Sequence, residues 1–222
     1  PGSRCPACRA DIRWYDNIPV LSFLRLKGRC RQCSTKIGWR YPLVEAITAL
    51  LTGVVAWQLG FGLFGAAAIA LTWALVALST IDFDHQLLPD NITLPALWAG
   101  LLLSVLGGPV SPADAVIGAA VGYLSLWLVF HGFRLITGKE GMGYGDFKLL
   151  AVFGAWLGWQ ALPLIILLSS VVGALVGGGL MAMGGLGGDQ PRTCGPCMAA
   201  AGWSAMLWGD AIIQGYFSFA GL

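Results

Sequence analysis

The sequence predicts an all-α polytopic membrane protein carrying a small polar domain toward its amino-terminal end. Three observations predict it. Hydrophobic residues make up 57% of the 222 and charged residues 11%, against roughly 25% charged in ordinary soluble domains. Apolar runs approaching the length of a bilayer crossing recur from Pro42 onward, separated by short turn signals. Nine of the thirteen Lys and Arg fall within the first forty residues, so basic charge is gathered on one side of the first apolar run. A mean hydropathy of +0.74 excludes a soluble protein with a large core. A basic segment can contact nucleic acid. In a chain this apolar the positive-inside rule explains it better, so the expected partner is the lipid bilayer and not nucleic acid.

Residues 1–41 read as the cytoplasmic cysteine domain and 42–222 as the membrane domain. The apolar runs place about seven transmembrane helices, near 43–59, 63–81, 92–106, 113–136, 147–160, 162–183 and 198–220. Gly60-Phe61-Gly62 and Gly107-Gly108-Pro109 are turns, and Pro163 follows the short fifth run. No Lys or Arg occurs between Arg40 and Arg134. With residues 1–41 in the cytoplasm, the turns 82–91, 137–146 and 184–197 fall on that same side. Arg134, Lys139, Lys148 and Arg192 lie in or beside the last two, as the charge rule asks. Small-xxx-small pairs at Gly118/Gly122, Gly154/Gly158 and Gly173/Gly177 suit close helix approach in lipid. No cleavable secretory signal precedes the cysteines, and Pro1-Gly2-Ser3 reads as a tag remnant or the interior of a longer chain.

Cys5-Pro6-Ala7-Cys8 and Cys30-Arg31-Gln32-Cys33 form two CxxC knuckles. Cys5, Cys8, Cys30 and Cys33 can supply four thiolates to one structural Zn²⁺. A segment of this size buries too little surface to fold alone, and a metal supplies the missing stability. Two disulfides are the alternative, against which a reducing cytoplasm argues. Trp14, Tyr15 and Phe23 are candidates for its small core. Cys194 and Cys197 repeat the spacing without a second knuckle and read as loop packing.

Two aspartates sit at the ends of apolar runs. Asp82 lies in Ile81-Asp82-Phe83-Asp84-His85-Gln86-Leu87-Leu88-Pro89-Asp90, and Asp146 in Gly141-Met142-Gly143-Tyr144-Gly145-Asp146-Phe147-Lys148. Carboxylates at a bilayer boundary are costly and mark functional sites. Helix counting puts both at the cytoplasmic face. Such a pair shares a proton and titrates as a unit. One member activates water and the other polarises a scissile carbonyl, the chemistry of an aspartyl protease. Gly143 and Gly145 allow close backbone approach to a substrate. Asp90 reads as the cap of the next helix; Asp84, two residues from Asp82, is ambiguous between facing water and joining the site. Glu45, just inside the first helix, and Lys148, two residues beyond Asp146, read as supporting residues, Lys148 through its charge near Asp146. His131 reads as packed between helices.

The ordered set of cysteine tetrad, Asp82-to-Asp90 segment and Gly143-Tyr144-Gly145-Asp146, a GxGD motif, resembles the bacterial type IV prepilin peptidases. Tyr41-Pro42-Leu43-Val44-Glu45 and Ala199-Ala200-Ala201-Gly202-Trp203 extend the resemblance along the chain. It implies a bifunctional leader peptidase and N-methyltransferase of the inner membrane with Asp82 and Asp146 as the catalytic pair. Its substrates would be prepilins or type II secretion pseudopilins, cleaved after a short basic leader. The new amino terminus would be methylated from S-adenosylmethionine. Family members usually carry one more transmembrane helix before the cysteine domain, whose absence here reads as truncation or cleavage. They also carry an Ile-Pro-Phe-like stretch where this chain has Arg192-Thr193-Cys194. Two competing readings are a transporter with a zinc-bearing regulatory domain and a non-enzymatic secretion-system assembly factor.

Overall fold

The computed structural model describes residues 4–16, 18–138, 143–182 and 195–220. Lys139, Arg192 and Cys194 lie outside the described residues, as does the side chain of Trp14. Among the described residues, eight α-helices follow in order: α1 (Leu21–Arg25), α2 (Arg40–Leu59), α3 (Leu63–His85), α4 (Asp90–Val105), α5 (Pro112–Thr137), α6 (Tyr144–Leu157), α7 (Leu162–Ala182) and α8 (Gly195–Ala220). Short 3-10 turns cover Trp14–Asp16 and Trp159–Ala161. The chain divides into two compact units, Pro1–Trp57 and Gln58–Leu222. The first long helix therefore belongs with the cysteine-bearing segment, although composition alone places the divide at residue 42.

Among the described residues, four stretches are long and apolar enough to cross a membrane: Arg40–Leu59, Leu63–His85, Pro112–Thr137 and Trp159–Gly179. At 16 and 14 residues, α4 and α6 are shorter, and α8, though 26 residues long, is not among the four, so the expectation of about seven crossings is not confirmed. Several helix ends also move outward from their sequence-based positions, among them the two that carry the aspartates. α3 continues four residues past Ile81, and α6 starts at Tyr144 instead of 147. A polarity rule ends a helix at its first carboxylate. Here both carboxylates are buried inside the larger unit, where burial decides and polarity does not.

Helix termini follow local chemistry. Ser111 caps α5 by accepting from the Asp114 N–H at 3.1 Å, with Pro112 in the first turn. Gly138 closes the same helix with φ 70°, donating its N–H to Arg134 O. Gln86 ends α3 in the same left-handed conformation, its N–H bonded to Asp82 O at 2.8 Å.

The core of the larger unit is α6 itself. Every residue from Asp146 to Trp156 except Lys148 is buried. Glycines on three other helices allow this. A Cβ at Gly118 of α5 would lie 2.3 Å from Gly154 O, and one at Gly122 would lie 2.7 Å from Leu150 O. On α4, a Cβ at Gly100 would strike the Trp156 ring at 2.4 Å, while Trp156 Nε1 donates to Ala96 O at 2.8 Å. On α8, a Cβ at Gly202 would strike the Phe153 ring at 2.2 Å. Two of the three small-xxx-small pairs in the sequence thus face each other across one helix contact. Gly173 of the third has open space around it. A hydrogen bond from Trp203 Nε1 to Thr72 Oγ1, 3.1 Å, ties α8 to α3.

This packing gives a sharp expectation. Gly154→Leu forces the α5 and α6 backbones apart and should cost about 1–3 kcal/mol or more, read as a lowered melting temperature in detergent. Gly173→Leu, with room to spare, should leave that temperature unchanged.

Candidate active site

Contacts bring four helix ends of the larger unit together, the end of α3 and the starts of α4, α6 and α8, with Phe130 of α5 packed beside them. Asp82 sits on the last turn of α3 and Asp146 on the first turn of α6, and both are buried. The two motifs touch through Leu88, six residues after Asp82, which lies against Gly145, the residue before Asp146. Asp82 Oδ2 is enclosed with no hydrogen-bond partner among the described residues. The Gly195 backbone N–H lies within bonding reach of the same carboxyl group. A buried acceptor left open is exceptional in a folded protein, and catalytic groups are among the exceptions.

Both motifs are held by their neighbours. The Asp146 N–H bonds to Gly143 O at 3.2 Å as the chain turns into α6. Gly145 receives Leu88 from the segment joining α3 to α4: a Cβ there would lie 2.6 Å from Leu88 Cβ. The second motif therefore seats the first. Tyr144 and Phe147 pack with Phe130 of α5, ring centroids 5.1 and 5.5 Å apart. Gly143 has open space around it.

Other sequence-based expectations are redistributed. Lys148 makes its ion pair with Asp90 of α4, so Asp90 is a clasp between two helices more than a cap. Pro89 precedes the helix instead. Glu45 accepts the Val20 N–H at 2.8 Å within the amino-terminal unit. Asp84 is exposed. His131 stays with its own helix, Nδ1 3.0 Å from Trp127 O, and stacks on the Trp127 ring. Gly195 was not foreseen as a site residue. A Cβ there would lie 2.4 Å from Asp82 Oδ2, so only glycine fits. The signal available in the sequence was Gly195-Pro196 directly before an apolar run, a helix-start pattern.

In the amino-terminal unit the two CxxC segments are copies of one another in backbone geometry. Arg4 bridges Asp11 as Arg29 bridges Lys36. Cys5 and Cys30 bond through their N–H groups to Ala10 O and Thr35 O, and their carbonyls accept from Arg9 and Ser34. Arg9 and Ser34 both take φ 57°. All four sulfurs lie within 4.8 Å of one another, with Cys5 and Cys33 Sγ at 3.8 Å. Zn–S bonds near 2.3 Å in a tetrahedron require sulfurs about 3.8 Å apart, so these residues fit a zinc ion. Hydrogen bonds from Thr35 pull the Cys33 thiol down while neighbouring thiols push Cys8 up, as expected of sulfurs crowded together. Tyr15 lies beneath the Arg13 and Arg31 guanidinium groups, and Phe23 packs on Trp39 at 4.8 Å.

Comparison with known proteins fits this geometry. Residues 69–178 match the type IV leader peptidase family, and residues 1–59 match the bacterial peptidase A24 amino-terminal domain. A protein of Aeromonas salmonicida named prepilin leader peptidase/N-methyltransferase is 58% identical over 218 residues, covering 98% of this chain and 75% of the relative. Proteins of the same name from Pseudomonas aeruginosa and Legionella pneumophila are 55% and 44% identical. They align over 100% and 99% of this chain, and 76% of each relative. The chain belongs to the type IV leader peptidase family. No solved structure matches it. The family boundary after residue 59 falls close to the division between the two compact units. Family membership also disposes of the transporter and assembly-factor readings, neither of which fits a peptidase family.

Zinc content tests the tetrad directly. The purified protein should carry one zinc per chain by elemental analysis. Cys30→Ser should reduce that to background while leaving the helical content of the larger unit in place.

Proposed function

We propose that this chain is a membrane-embedded aspartic endopeptidase that removes the leader of type IV prepilins or type II secretion pseudopilins and then N-methylates the new amino terminus. The observation that carries the peptidase reading is the meeting of Asp82 and Asp146 at one end of the bundle, with one Asp82 oxygen enclosed and open for a partner. The family match and the relatives' shared name support both activities.

The mechanism follows from two carboxyl groups that share one proton. The ionised member takes a proton from water, and the resulting hydroxide attacks the scissile carbonyl. The protonated member hydrogen-bonds the carbonyl oxygen as its charge grows, then donates its proton to the departing amine. Burial at the helix ends excludes bulk water and strengthens these interactions. Cleavage leaves a free amine, which must be deprotonated to accept a methyl group. S-adenosylmethionine is the methyl donor implied by the relatives' second activity. Zinc on the four cysteines would hold the amino-terminal unit in shape. Positive-inside bias supports an inner-membrane protein with its active site toward the cytoplasm.

The deciding assay is mass spectrometry of a prepilin treated with the purified protein, with and without S-adenosylmethionine. Asp82→Asn and Asp146→Asn should each slow leader removal by roughly 10²–10⁴-fold or more. Wild-type rates in both variants would sink the reading. Gly195→Ala, which drives a methyl group into Asp82, should slow cleavage at least about tenfold with zinc content unchanged.

The Asp90–Lys148 pair is expected to position the two motifs. Lys148→Asp alone should slow cleavage by placing two carboxylates together. Adding Asp90→Lys should restore most of the rate, because the swapped pair rebuilds the clasp.

A further inference from the structure

We propose that α1 and the basic rim around it form an interfacial anchor, which docks the cysteine-bearing unit onto the headgroups of an anionic bilayer. Glu45 ties α1 to the spanning helix. This carboxylate lies five residues inside a helix apolar enough to cross a membrane, roughly 7.5 Å along its axis. It accepts the Val20 N–H at 2.8 Å. Val20 is the residue just before α1. The bond therefore holds the start of α1 beside the second turn of the spanning helix, at the depth where that helix enters lipid. Phe23 of α1 reinforces the placement by packing on Trp39, the residue preceding α2.

At this depth the unit leaves its largest apolar side chains uncovered. Leu21 and Leu24, neighbours on one helical face, are 64% and 60% exposed. Trp39 and Tyr41 are 74% and 69% exposed. Aromatic residues of this kind settle at membrane–water boundaries, and a short apolar face beside cationic side chains lies in that boundary.

The charge agrees in sign and in place. Residues 1–41 hold nine Lys and Arg and two acidic residues, Asp11 and Asp16. Both aspartates are already ion-paired, with Arg4 and Arg31. Arg25, Lys27 and Arg29 follow Leu24 directly and are exposed. A cation near an anionic leaflet contributes about 1 kcal/mol, so a cluster joined to an inserted apolar face holds the unit down. An anionic nucleic acid would match the charge but not the exposed leucines.

The test uses the full chain in nanodiscs of phosphatidylcholine, alone or with about one third phosphatidylglycerol. Hydrogen–deuterium exchange over residues 18–29 should slow roughly tenfold in the anionic bilayer. High salt should reverse the slowing, as should Arg25→Gln/Lys27→Gln/Arg29→Gln. A photoreactive residue in place of Leu24 should form its adduct with lipid. Equal exchange in the two bilayers would overturn the proposal, as would an adduct formed with RNA or protein. Zinc content verifies that each variant is folded. Should the triple variant lose its zinc, the salt titration on the unaltered chain decides.

Discussion

The larger unit depends on enclosing one short helix. α6 carries Asp146 on its first turn and is buried almost to its end. Its backbone meets that of α5 with no side chain between them at Gly118 and Gly154. Neighbouring helices can approach from three directions only because Gly100, Gly118, Gly122 and Gly202 present no Cβ there. In lipid, where the hydrophobic effect does not drive helices together, such contact supplies much of the association energy. The position of Asp146 is thereby fixed by steric fit along the whole helix. The site inherits this rigidity: Leu88 rests on Gly145, and Gly195 rests on Asp82.

Among the described residues of the larger unit, the buried and ion-paired carboxylates lie near helix ends. Trp159 Nε1, Gln160 Nε2 and Ser111 Oγ all donate to the Asp114 carboxylate at the far end of the bundle. That acidic group is fully engaged where α5 begins. The two aspartates of the other end contrast with it. Asp82 and Asp146 are more enclosed, and one oxygen of Asp82 is left open. A stabilising carboxylate is surrounded by donors, whereas a reactive one keeps a vacancy for the atoms it will act on.

Much of this was legible in the sequence. Hydropathy gave the helical class, and charge bias together with helix counting put Asp82 and Asp146 at one end. The CxxC spacing marked four sulfurs that come together. What escaped depends on burial and on partners far along the chain. Helix ends were drawn at Ile81 and Phe147 because a carboxylate looks like a boundary when its surroundings are unknown. The partners of Lys148 and Glu45, which are Asp90 and the Val20 amide, cannot be read from local spacing. Gly195 carries no local mark of its role, because its reason for being glycine lies more than a hundred positions away, at Asp82.

The shortness of α6 bears on how the protein enters its membrane. Fourteen residues rise only about 21 Å, against a hydrocarbon core of about 30 Å. Such a segment is a poor candidate for lateral release into lipid by itself during synthesis. α5 precedes it, is long and apolar, and fits it backbone to backbone. The unit of biogenesis is therefore the α5–α6 hairpin, and Asp146 reaches its place as cargo of the helix made before it.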